Sequence, residues 1–420
     1  MNVQVPLKWY GAILIALIVL VVSVTTRTES SQDKQTPEQI WWDFQAIDTM
    51  KYSRDLSREK LNVPSFDLTI DTHTRNIAAT GATHIAIATP YDEEFLPILK
   101  RWVAAARKYE LKIWFRGNWS GWEEWFDHER ITRDQHLAKT RQFILDNPDL
   151  FEDGDIFTGC PECENGGPGD PRMNGDAKGH KKFLIDEYKM TKQAFKHIGK
   201  DVQSNFNSMN GDVARLIMDE ETTKALDGLV VVDHYVKTPE QLNNDITALA
   251  KQSKGKVILG EFGAPIPDIH GPYTEEQQAQ WIEGTMKLLS TNPNLVGMSY
   301  WVDVGGSTQL WENDKPRKGV DSLHTYYEPE LLFGNVLNES GKPIKNAIVS
   351  FGTKQVVTDS EGLFTLLYVP IDVPVIAKAD NYIEKRVTLT ENPEFLSINL
   401  RQDESKQKPT FWDWLKRLFD

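Results

Sequence analysis

The amino-acid sequence predicts an α/β fold, a (β/α)8 TIM barrel followed by a small all-β sandwich, and three observations lead to this prediction. Between residues 40 and 328, eight short apolar runs alternate with longer segments whose apolar residues recur every three or four positions. In residues 329–401 the pattern changes to an apolar–polar alternation that is interrupted by glycine-containing turns. The 420 residues, of which 40% are hydrophobic, suffice for one large domain and one smaller domain.

The N-terminus contains a continuous apolar run, residues 11–24, which Lys8 precedes and Arg27 follows. The run is slightly shorter than the ~20 residues of a bilayer-spanning helix, and no small-residue cleavage site follows it. We expect residues 1–27 to form an uncleaved signal anchor with one transmembrane helix; a cleaved signal peptide and a buried core helix are the alternatives. Residues 28–39 are polar and are predicted to form a linker. Both leading interpretations place the bulk of the chain outside the cytoplasm, either at the cell membrane or secreted.

The predicted catalytic barrel, residues 40–328, contains eight candidate strands separated by amphipathic segments such as residues 93–110 and 277–290. The candidate strands are residues 43–48, 84–91, 112–119, 155–162, 201–208, 228–235, 256–263 and 295–302. An open, doubly wound sheet is the alternative fold. Such a sheet usually has fewer strands and a glycine-rich first turn, and no G-x-G-x-x-G motif occurs here.

The C-terminal part of the chain divides into the predicted sandwich, residues 329–401, and a tail, residues 402–420. The sandwich resembles the carboxypeptidase-regulatory-like, transthyretin-type domain, which implies an accessory role without chemistry of its own. The matching residues are Gly334, Val336, Gly341, Lys342, Pro343, Ile344, Ala347, Val349, Thr358, Asp359, Gly362, Phe364 and Tyr382. In the tail, four apolar residues fall on one face of a short amphipathic helix, which we expect either to dock on the protein or to lie on a membrane. These residues are Phe411, Trp414, Leu415 and Leu418.

The formal net charge of −14 argues against a nucleic-acid partner, because nucleic-acid binding needs a basic surface. Thirteen tryptophans are many for this length, and tryptophan stacks well on apolar ring faces. No cofactor and no metal site are predicted, and the sequence does not indicate an oligomeric state.

Polar residues collect at the C-terminal ends of most candidate strands. The interior of a (β/α)8 barrel is dry and packed, so polar side chains at these ends belong to the face that carries active sites. The residues are Asp48, Arg116, Asn118, Glu162, Asn205, Asn207, His234, Tyr235, Glu261 and Trp301.

Two of these residues, Glu162 and Glu261, end the fourth and the seventh candidate strands. Glycoside hydrolysis needs two carboxyl groups on either side of the scissile bond, one protonated and one ionised. The arrangement, with the turn Gly260-Glu261-Phe262-Gly263, resembles the (β/α)8 retaining glycoside hydrolases of the clan that includes cellulases and mannanases. In that clan the acid/base follows strand four and the nucleophile follows strand seven.

The resemblance implies a carbohydrate substrate, Glu261 as the nucleophile and Glu162 as the general acid/base. It further implies that His234 and Tyr235 hold the nucleophile and that Trp301 is a platform on which a sugar ring stacks. Trp119 is a second aromatic candidate for such stacking. Each of these aromatic residues and His234 could equally serve packing alone.

The sequence departs from the clan at the residue before the acid/base. Members usually have asparagine there, where it binds the sugar 2-hydroxyl, but this chain has Pro161. Glu164, which Asn165 follows, is therefore an alternative acid/base. The departure keeps two functions open: a membrane-tethered retaining glycoside hydrolase, and a non-catalytic cell-surface carbohydrate-binding protein on a degenerate barrel.

Cys160 and Cys163, the only cysteines of the chain, lie on either side of Glu162. A structural zinc site needs four ligands, and a thioredoxin-like site needs a small α/β domain. Outside the cytoplasm the pair can form a disulfide that stiffens the loop containing Glu162. Two free thiols, or a redox or metal function, are the alternatives.

Overall fold

The barrel is built from eight parallel strands. They are β1 (Phe44–Asp48), β2 (His84–Ile87), β3 (Lys112–Phe115), β4 (Ile156–Phe157), β5 (Ser208–Asn210), β6 (Leu229–Asp233), β7 (Lys256–Phe262) and β8 (Leu295–Tyr300). In the computed structural model, which describes residues 40–406, they form one sheet in the order β4-β3-β2-β1-β8-β7-β6-β5. A parallel bridge between Ile156 and Gln203 joins the two ends of this order, and the Phe157 N–H donates to the Gln203 carbonyl at 2.8 Å. The sheet therefore closes on itself, and the predicted (β/α)8 barrel is confirmed.

Helices connect the strands and cover the outside of the sheet. They are α1 (Met50–Ser53), α2 (Ser57–Lys60), α3 (Phe66–Ala78), α4 (Leu96–Lys108), α5 (Ser120–Glu123), α6 (Arg133–Asp146), α7 (Pro171–Asn174), α8 (Ala177–Ile198), α9 (Gly211–Ile217), α10 (Glu220–Ala225), α11 (Pro239–Ser253), α12 (Pro267–His270), α13 (Glu275–Leu289) and α14 (Lys318–Tyr327). The amphipathic pattern predicts which side of a helix is buried: α4 buries Ile98, Trp102 and Ala106, which are four positions apart. Helix α6 begins with a capping box, in which the Thr132 hydroxyl accepts from the Gln135 N–H at 3.2 Å.

Side chains inside the barrel form an apolar layer with a polar layer above it. The apolar layer contains Phe44, Ala46, Ala86, Trp114, Ile156, Phe206, Val231 and Ile258. Successive residues of a strand face opposite sides, so the residue two positions later faces the interior again, nearer the C-terminal end of the strand. We define the polar layer as the polar residues at those positions, Asp48, Arg116, Thr158, Ser208 and Asp233; Ala88 and Gly260 occupy the corresponding positions of β2 and β7.

The expected position of the fifth strand is wrong. The sequence pattern predicts a strand over residues 201–208, but β5 begins at Ser208 and pairs with β6, and only Gln203 of the earlier segment forms a bridge. Asn205 and Asn207 therefore precede the strand and do not lie at its C-terminal end. The alternation of polar and apolar residues indicates extended backbone here, but it does not decide which residues pair.

The C-terminal module, residues 330–400, follows α14 and contains seven strands in two small sheets. The strands are β11 (Glu330–Asn338), β12 (Ile348–Phe351), β13 (Lys354–Val357), β14 (Leu363–Tyr368), β15 (Val375–Lys378), β16 (Lys385–Val387) and β17 (Leu396–Leu400); a hairpin of β9 (Trp311–Glu312) and β10 (Lys315–Pro316) precedes α14. The sheet orders are β14-β11-β17 and β13-β12-β15-β16. Alternate residues such as Leu332, Val336 and Val349 are fully buried, as expected for strands with one face in a core.

The C-terminal module packs against the barrel near the N-terminal ends of the strands. Trp41, just before β1, donates from Nε1 to the Ser290 carbonyl at 3.2 Å and packs edge-on against Phe351 of the module. The hydroxyl of Thr353 donates to the same Ser290 carbonyl at 3.3 Å. The module is therefore attached at the opposite end of the barrel from the polar layer.

Three predicted segments lie outside the described residues. They are the signal anchor over residues 1–27, the linker over residues 28–39 and the amphipathic part of the tail, residues 407–420. Within residues 40–406, no helix combines the length and the apolar character that crossing a bilayer requires.

Candidate active site

Arg116 lies at the centre of the polar layer and is 2% exposed. Its guanidinium donates to Asp48 Oδ2 at 3.2 Å and to Asp233 Oδ2 at 2.8 Å, and its Nη1 is 3.1 Å from Glu261 Oε1. The same two nitrogens also donate to other groups: Nη1 to the Gly260 carbonyl and Nη2 to the Ser208 hydroxyl. One guanidinium thus holds three carboxyl groups from three strands, which is the geometry that arginine provides and lysine does not.

Glu261 has a partner at each carboxylate oxygen. Arg116 contacts Oε1, and the Tyr235 hydroxyl donates to Oε2 at 2.7 Å. Burial, followed by the charge of Glu261, raises the pKa of Tyr235 well above its usual value, so Tyr235 is a neutral donor. Two donors directed at one carboxylate stabilise its ionised form.

Gly260 is required by the close approach of two polar-layer residues. A Cβ at this position would lie 2.2 Å from Asp233 Oδ1 and 3.1 Å from the Ser208 Cβ. Any larger residue would therefore displace Asp233 and, with it, the guanidinium of Arg116.

The two aspartates of the polar layer share one guanidinium with Glu261. Burial raises the pKa of Asp48 to about 7, against the lowering effect of Arg116. Burial likewise raises the pKa of Asp233 well above its usual value. Since one positive charge faces three carboxyl groups, the site favours protonation of an aspartate over the ionisation of all three groups.

Glu162 lies in the turn after β4 and adopts a left-handed backbone conformation, with φ 45° and ψ 51°. Its N–H donates to the Ser208 carbonyl at 2.9 Å, and Asn165 Nδ2 donates to its Oε2 at 2.9 Å. A non-glycine residue in this region is strained, and such strain is typical of functional turns. Burial, and then the charges of Glu261 and Glu164, raise the pKa of Glu162 to about 8. Glu162 is therefore mostly protonated at neutral pH.

Glu162 and Glu261 line the same cavity at the C-terminal end of the barrel. The cavity has a volume of about 40 Å³, and Arg116, Asn118 and Glu123 also line it. A larger groove of about 650 Å³ lies near the start of β6, and of the predicted site residues only Asn205 lines it. We assign the site to the smaller cavity because it contains the carboxyl groups.

Glu164, the alternative to Glu162, is directed elsewhere. It is 2% exposed, and its Oε1 accepts from the N–H of Asn210 at 2.7 Å and from Asn210 Nδ2 at 3.0 Å. Glu164 does not line the cavity. Of the two glutamates after β4, Glu162 is therefore the one that faces Glu261.

Several predicted site residues lie outside the cavity. The ring of His234 bonds to Asp245 Oδ2 at 2.8 Å, on the side of the strand opposite to Tyr235, and only its backbone N–H contacts Glu261. Trp119 is buried and donates to Thr140 Oγ1, and Asn205 donates to the Leu226 carbonyl. Each of these side chains is therefore bonded to a neighbouring residue outside the cavity.

Two other predictions have a mixed outcome. Trp301 is half-buried beside the ring of Tyr235, at 6.0 Å between centroids, with Lys51 Nζ 5.8 Å from its ring centroid, but it does not line the cavity. Asn207 is buried, and its amide has no hydrogen-bond partner among the described residues.

Sequence reasoning missed Asp233, Ser208, Glu123 and Trp125 as site residues. Asp233 had a usable signal, because it follows Val231 by two positions and must face the interior with it. Glu123 and Trp125 lie in the connection after β3, where no periodicity indicates which side chains point into the cavity.

Cys160 and Cys163 are paired as a disulfide, with their Cα atoms 5.3 Å apart. Both residues are buried, and Trp122 Nε1 donates to the Cys163 carbonyl at 3.2 Å. The pairing and this contact hold the turn that contains Glu162. Among residues 40–406, no group of three His, Cys, Asp or Glu side chains is arranged to hold a metal ion.

The fold and the site define a class: a (β/α)8 barrel with two facing carboxyl groups in a cavity at the C-terminal ends of its strands. No protein-family model matches the sequence, and no curated protein sequence matches it. Similar solved structures include several glycosidases.

An FMN-binding beta-glucuronidase from Facaelibacterium prausnitzii is 12% identical, with 78% of this chain and 54% of that chain covered and a TM-score of 0.41. This chain thus spans about half of the length of that protein. A GH5_18 protein from Bifidobacterium longum in complex with Manb1-4GlcNAc is 14% identical, with coverages of 72% and 84% and a TM-score of 0.48. A fungal beta-1,4-galactanase is 14% identical, with coverages of 68% and 99% and a TM-score of 0.47. At these values, the fold assignment rests on this chain's own strand order and the function on its own side chains.

Proposed function

We propose that the protein is a retaining glycoside hydrolase that cleaves O-glycosidic bonds of an oligo- or polysaccharide. The observation that supports this proposal is the contrast between two carboxyl groups in one cavity. Burial raises the pKa of Glu162 to about 8, whereas Glu261 has a donor at each oxygen. One protonated and one ionised carboxyl group are what the reaction needs.

In the first step, ionised Glu261 attacks the anomeric carbon of the sugar, and Glu162 gives its proton to the departing glycosidic oxygen. A covalent glycosyl–enzyme intermediate and a free hydroxyl result. In the second step, Glu162, now ionised, removes a proton from water, which attacks the anomeric carbon and releases Glu261. Arg116 and Tyr235 hold Glu261 in position during both steps.

The proposal is tested with Glu261→Gln, which keeps the shape of the side chain and removes the nucleophile. We expect hydrolysis of aryl glycosides to fall by at least about 10³-fold while the circular dichroism spectrum is unchanged. Glu164→Gln is the discriminating variant and should retain most of the activity. NMR of the first-formed product should show the configuration of the substrate. Wild-type activity in Glu261→Gln, or an inverted product, would refute the assignment.

A second candidate is a non-catalytic carbohydrate-binding protein. Pro161 favours it, because this residue cannot supply the side-chain amide that the resembling hydrolases place before the acid/base. A screen of the protein against polysaccharides and aryl glycosides separates the two candidates. Binding without turnover on every compound would favour the second.

We also propose that residues 1–27 anchor the barrel to the cell membrane on its extracytoplasmic side. The apolar run over residues 11–24 and the disulfide, a bond typical of oxidising compartments, support this location. The full chain should sediment with membranes and be released by detergent. Recovery of the full-length chain in the soluble cytoplasmic fraction would contradict the proposal.

A further inference from the structure

Asn118 lines the cavity beside the two catalytic candidates, and its amide orientation is determined by its neighbours. Its Oδ1 accepts from the Trp119 N–H at 2.8 Å and lies 3.2 Å from His136 Nε2. Burial lowers the pKa of His136 to about 3, so the ring is neutral. Since Oδ1 accepts from the Trp119 N–H, Nδ2 is the donor side of the amide, and it lies 3.8 Å from Cys160 Sγ and within reach of Glu123 in the cavity.

His136 contacts a buried carboxyl group through its other ring nitrogen. Its Nδ1 lies 3.3 Å from Oε1 of Glu187, and both residues are fully or almost fully buried. Gly159 makes room for this carboxyl group, because a Cβ there would lie 2.6 Å from Glu187 Oε1. The orientation of Asn118 is thus determined by packed groups and not by solvent.

Glu123, the last residue of α5, supplies an acceptor next to that donor. Its Oε1 is 3.3 Å from Asn118 Nδ2, and it lines the cavity together with Glu162 and Glu261. The two-carboxylate reaction leaves Glu123 without a role. Burial raises the pKa of Glu123 to about 7, and Arg54, which also lines the cavity, acts to lower it.

We propose that Asn118 and Glu123 form a two-point subsite that binds two neighbouring hydroxyl groups of the sugar ring in the cavity, with His136 as the positioning residue for Asn118. The inference rests on the proposed glycosidase function. Each sugar hydroxyl is both a donor and an acceptor, so neighbouring hydroxyls match a donor and an acceptor that lie one hydrogen-bond length apart. The substrate class is therefore glycosides whose reacting ring has two adjacent free hydroxyls.

The test combines enzyme variants with substrate analogues. The probe is the 4-nitrophenyl glycoside that the wild type hydrolyses fastest, together with its monodeoxy analogues. In the wild type, removing either bound hydroxyl should lower kcat/KM about 10- to 100-fold. In Glu123→Ala and Asn118→Ala, the parent glycoside should lose a similar factor, and removing the partner hydroxyl should then cost little more. Asp127→Asn, an exposed residue of the same connection, is the control and should behave as the wild type.

Equal deoxy penalties in the wild type and in both variants would overturn the subsite. If Asn118→Ala does not fold, the Glu123→Ala variant still tests the subsite, because Glu123 is only half-buried. A wild type that hydrolyses no glycoside would instead tell against the glycosidase proposal. In that case, calorimetric binding of reducing sugars and their deoxy forms to the wild type and to Glu123→Ala decides the subsite without turnover. The subsite is supported if removal of a hydroxyl weakens binding to the wild type but not to Glu123→Ala. It is overturned if removal of a hydroxyl weakens binding to both proteins equally.

Discussion

At the scale of single residues, Arg116 sets the protonation of the candidate site. Its guanidinium contacts Asp48, Asp233 and Glu261, and each of the four side chains is buried. Burial, and then the charge of Glu261, raises the pKa values of the two aspartates against the lowering effect of Arg116. Glu261 contacts the Tyr235 hydroxyl as well as Arg116.

The first residue-scale prediction concerns Glu162. Glu162→Ala should slow glycosides with poor leaving groups far more than activated aryl glycosides, because only the former need a proton to depart. Added azide should restore activity on activated substrates by replacing the water that Glu162 activates. In the wild type, kcat/KM should fall above about pH 8, where Glu162 loses its proton. A uniform loss on both substrate types without azide rescue would reassign the role to Glu164.

The second residue-scale prediction concerns Glu187, whose pKa burial raises from 4.5 to about 8. Between these two pH values the folded state holds a proton that the unfolded state has lost, so the free energy of unfolding falls as pH rises through this window. Glu187→Gln removes this contribution. Thermal unfolding from pH 5 to pH 8.5 should therefore show a smaller decline for the variant than for the wild type, by on the order of a few kcal/mol. Parallel pH profiles for the two proteins would show that Glu187 is ionised in the folded state.

At the scale of elements, an irregular register at the end of β7 places the site, because Asp233 pairs with Glu261 where regular pairing would give Gly260. Gly260 and Glu261 are neighbours, yet the first makes room for Asp233 inside the barrel and the second reaches the cavity. The turn after β4 adds Glu162 from the other side, with its backbone held by the Ser208 carbonyl. The site therefore depends on the close contact of β5, β6 and β7.

The element-scale prediction compares two glycine-to-alanine variants. Gly260→Ala places a Cβ 2.2 Å from Asp233 Oδ1, and this overpacking should cost about 1–3 kcal/mol of stability and most of the activity. Gly284→Ala is the matched control, because helix α13 leaves 3.5 Å to Pro239 at that position. The control should keep its activity and gain up to about 1 kcal/mol, since alanine favours helix. Urea unfolding and kcat/KM measure both effects, and equal behaviour of the two variants would contradict the packing argument.

At the scale of the whole molecule, the barrel and the C-terminal module share an apolar contact at the end of the barrel away from the cavity. Trp41 is 1% exposed between Ser290 and Phe351, and the Tyr326 hydroxyl donates to the Pro370 carbonyl at 3.1 Å. A buried contact of this kind joins two domains more firmly than a polar one would.

Trp41→Ala is therefore expected to destabilise the protein without affecting the chemistry. Loss of a buried tryptophan side chain should cost about 3–5 kcal/mol, and calorimetry should show a lower Tm. The kcat/KM at 25 °C should stay close to that of the wild type, because the cavity lies at the other end. Val357→Ala, at an exposed position of the same sheet, is the control. An unchanged Tm for Trp41→Ala would show that the interface contributes little.

The sequence by itself determined the (β/α)8 barrel, the change to short strands near residue 330, and the positions of Glu162 and Glu261 at strand ends. Hydrophobic periodicity and strand alternation are local properties, and they depend on residues that are close in the chain. Two residues were expected to hold Glu261. Tyr235 contacts it, whereas the ring of His234 faces Asp245.

Only the tertiary structure decided which side chains meet. Asn205 leaves the site because β5 begins at Ser208, seven residues after the predicted start at residue 201, and Glu164 leaves it because Asn210 binds its carboxyl group. Glu123 enters it from a connection without periodicity. Pairing register and loop conformation depend on contacts between residues far apart in the chain, and these contacts arise only when the barrel closes.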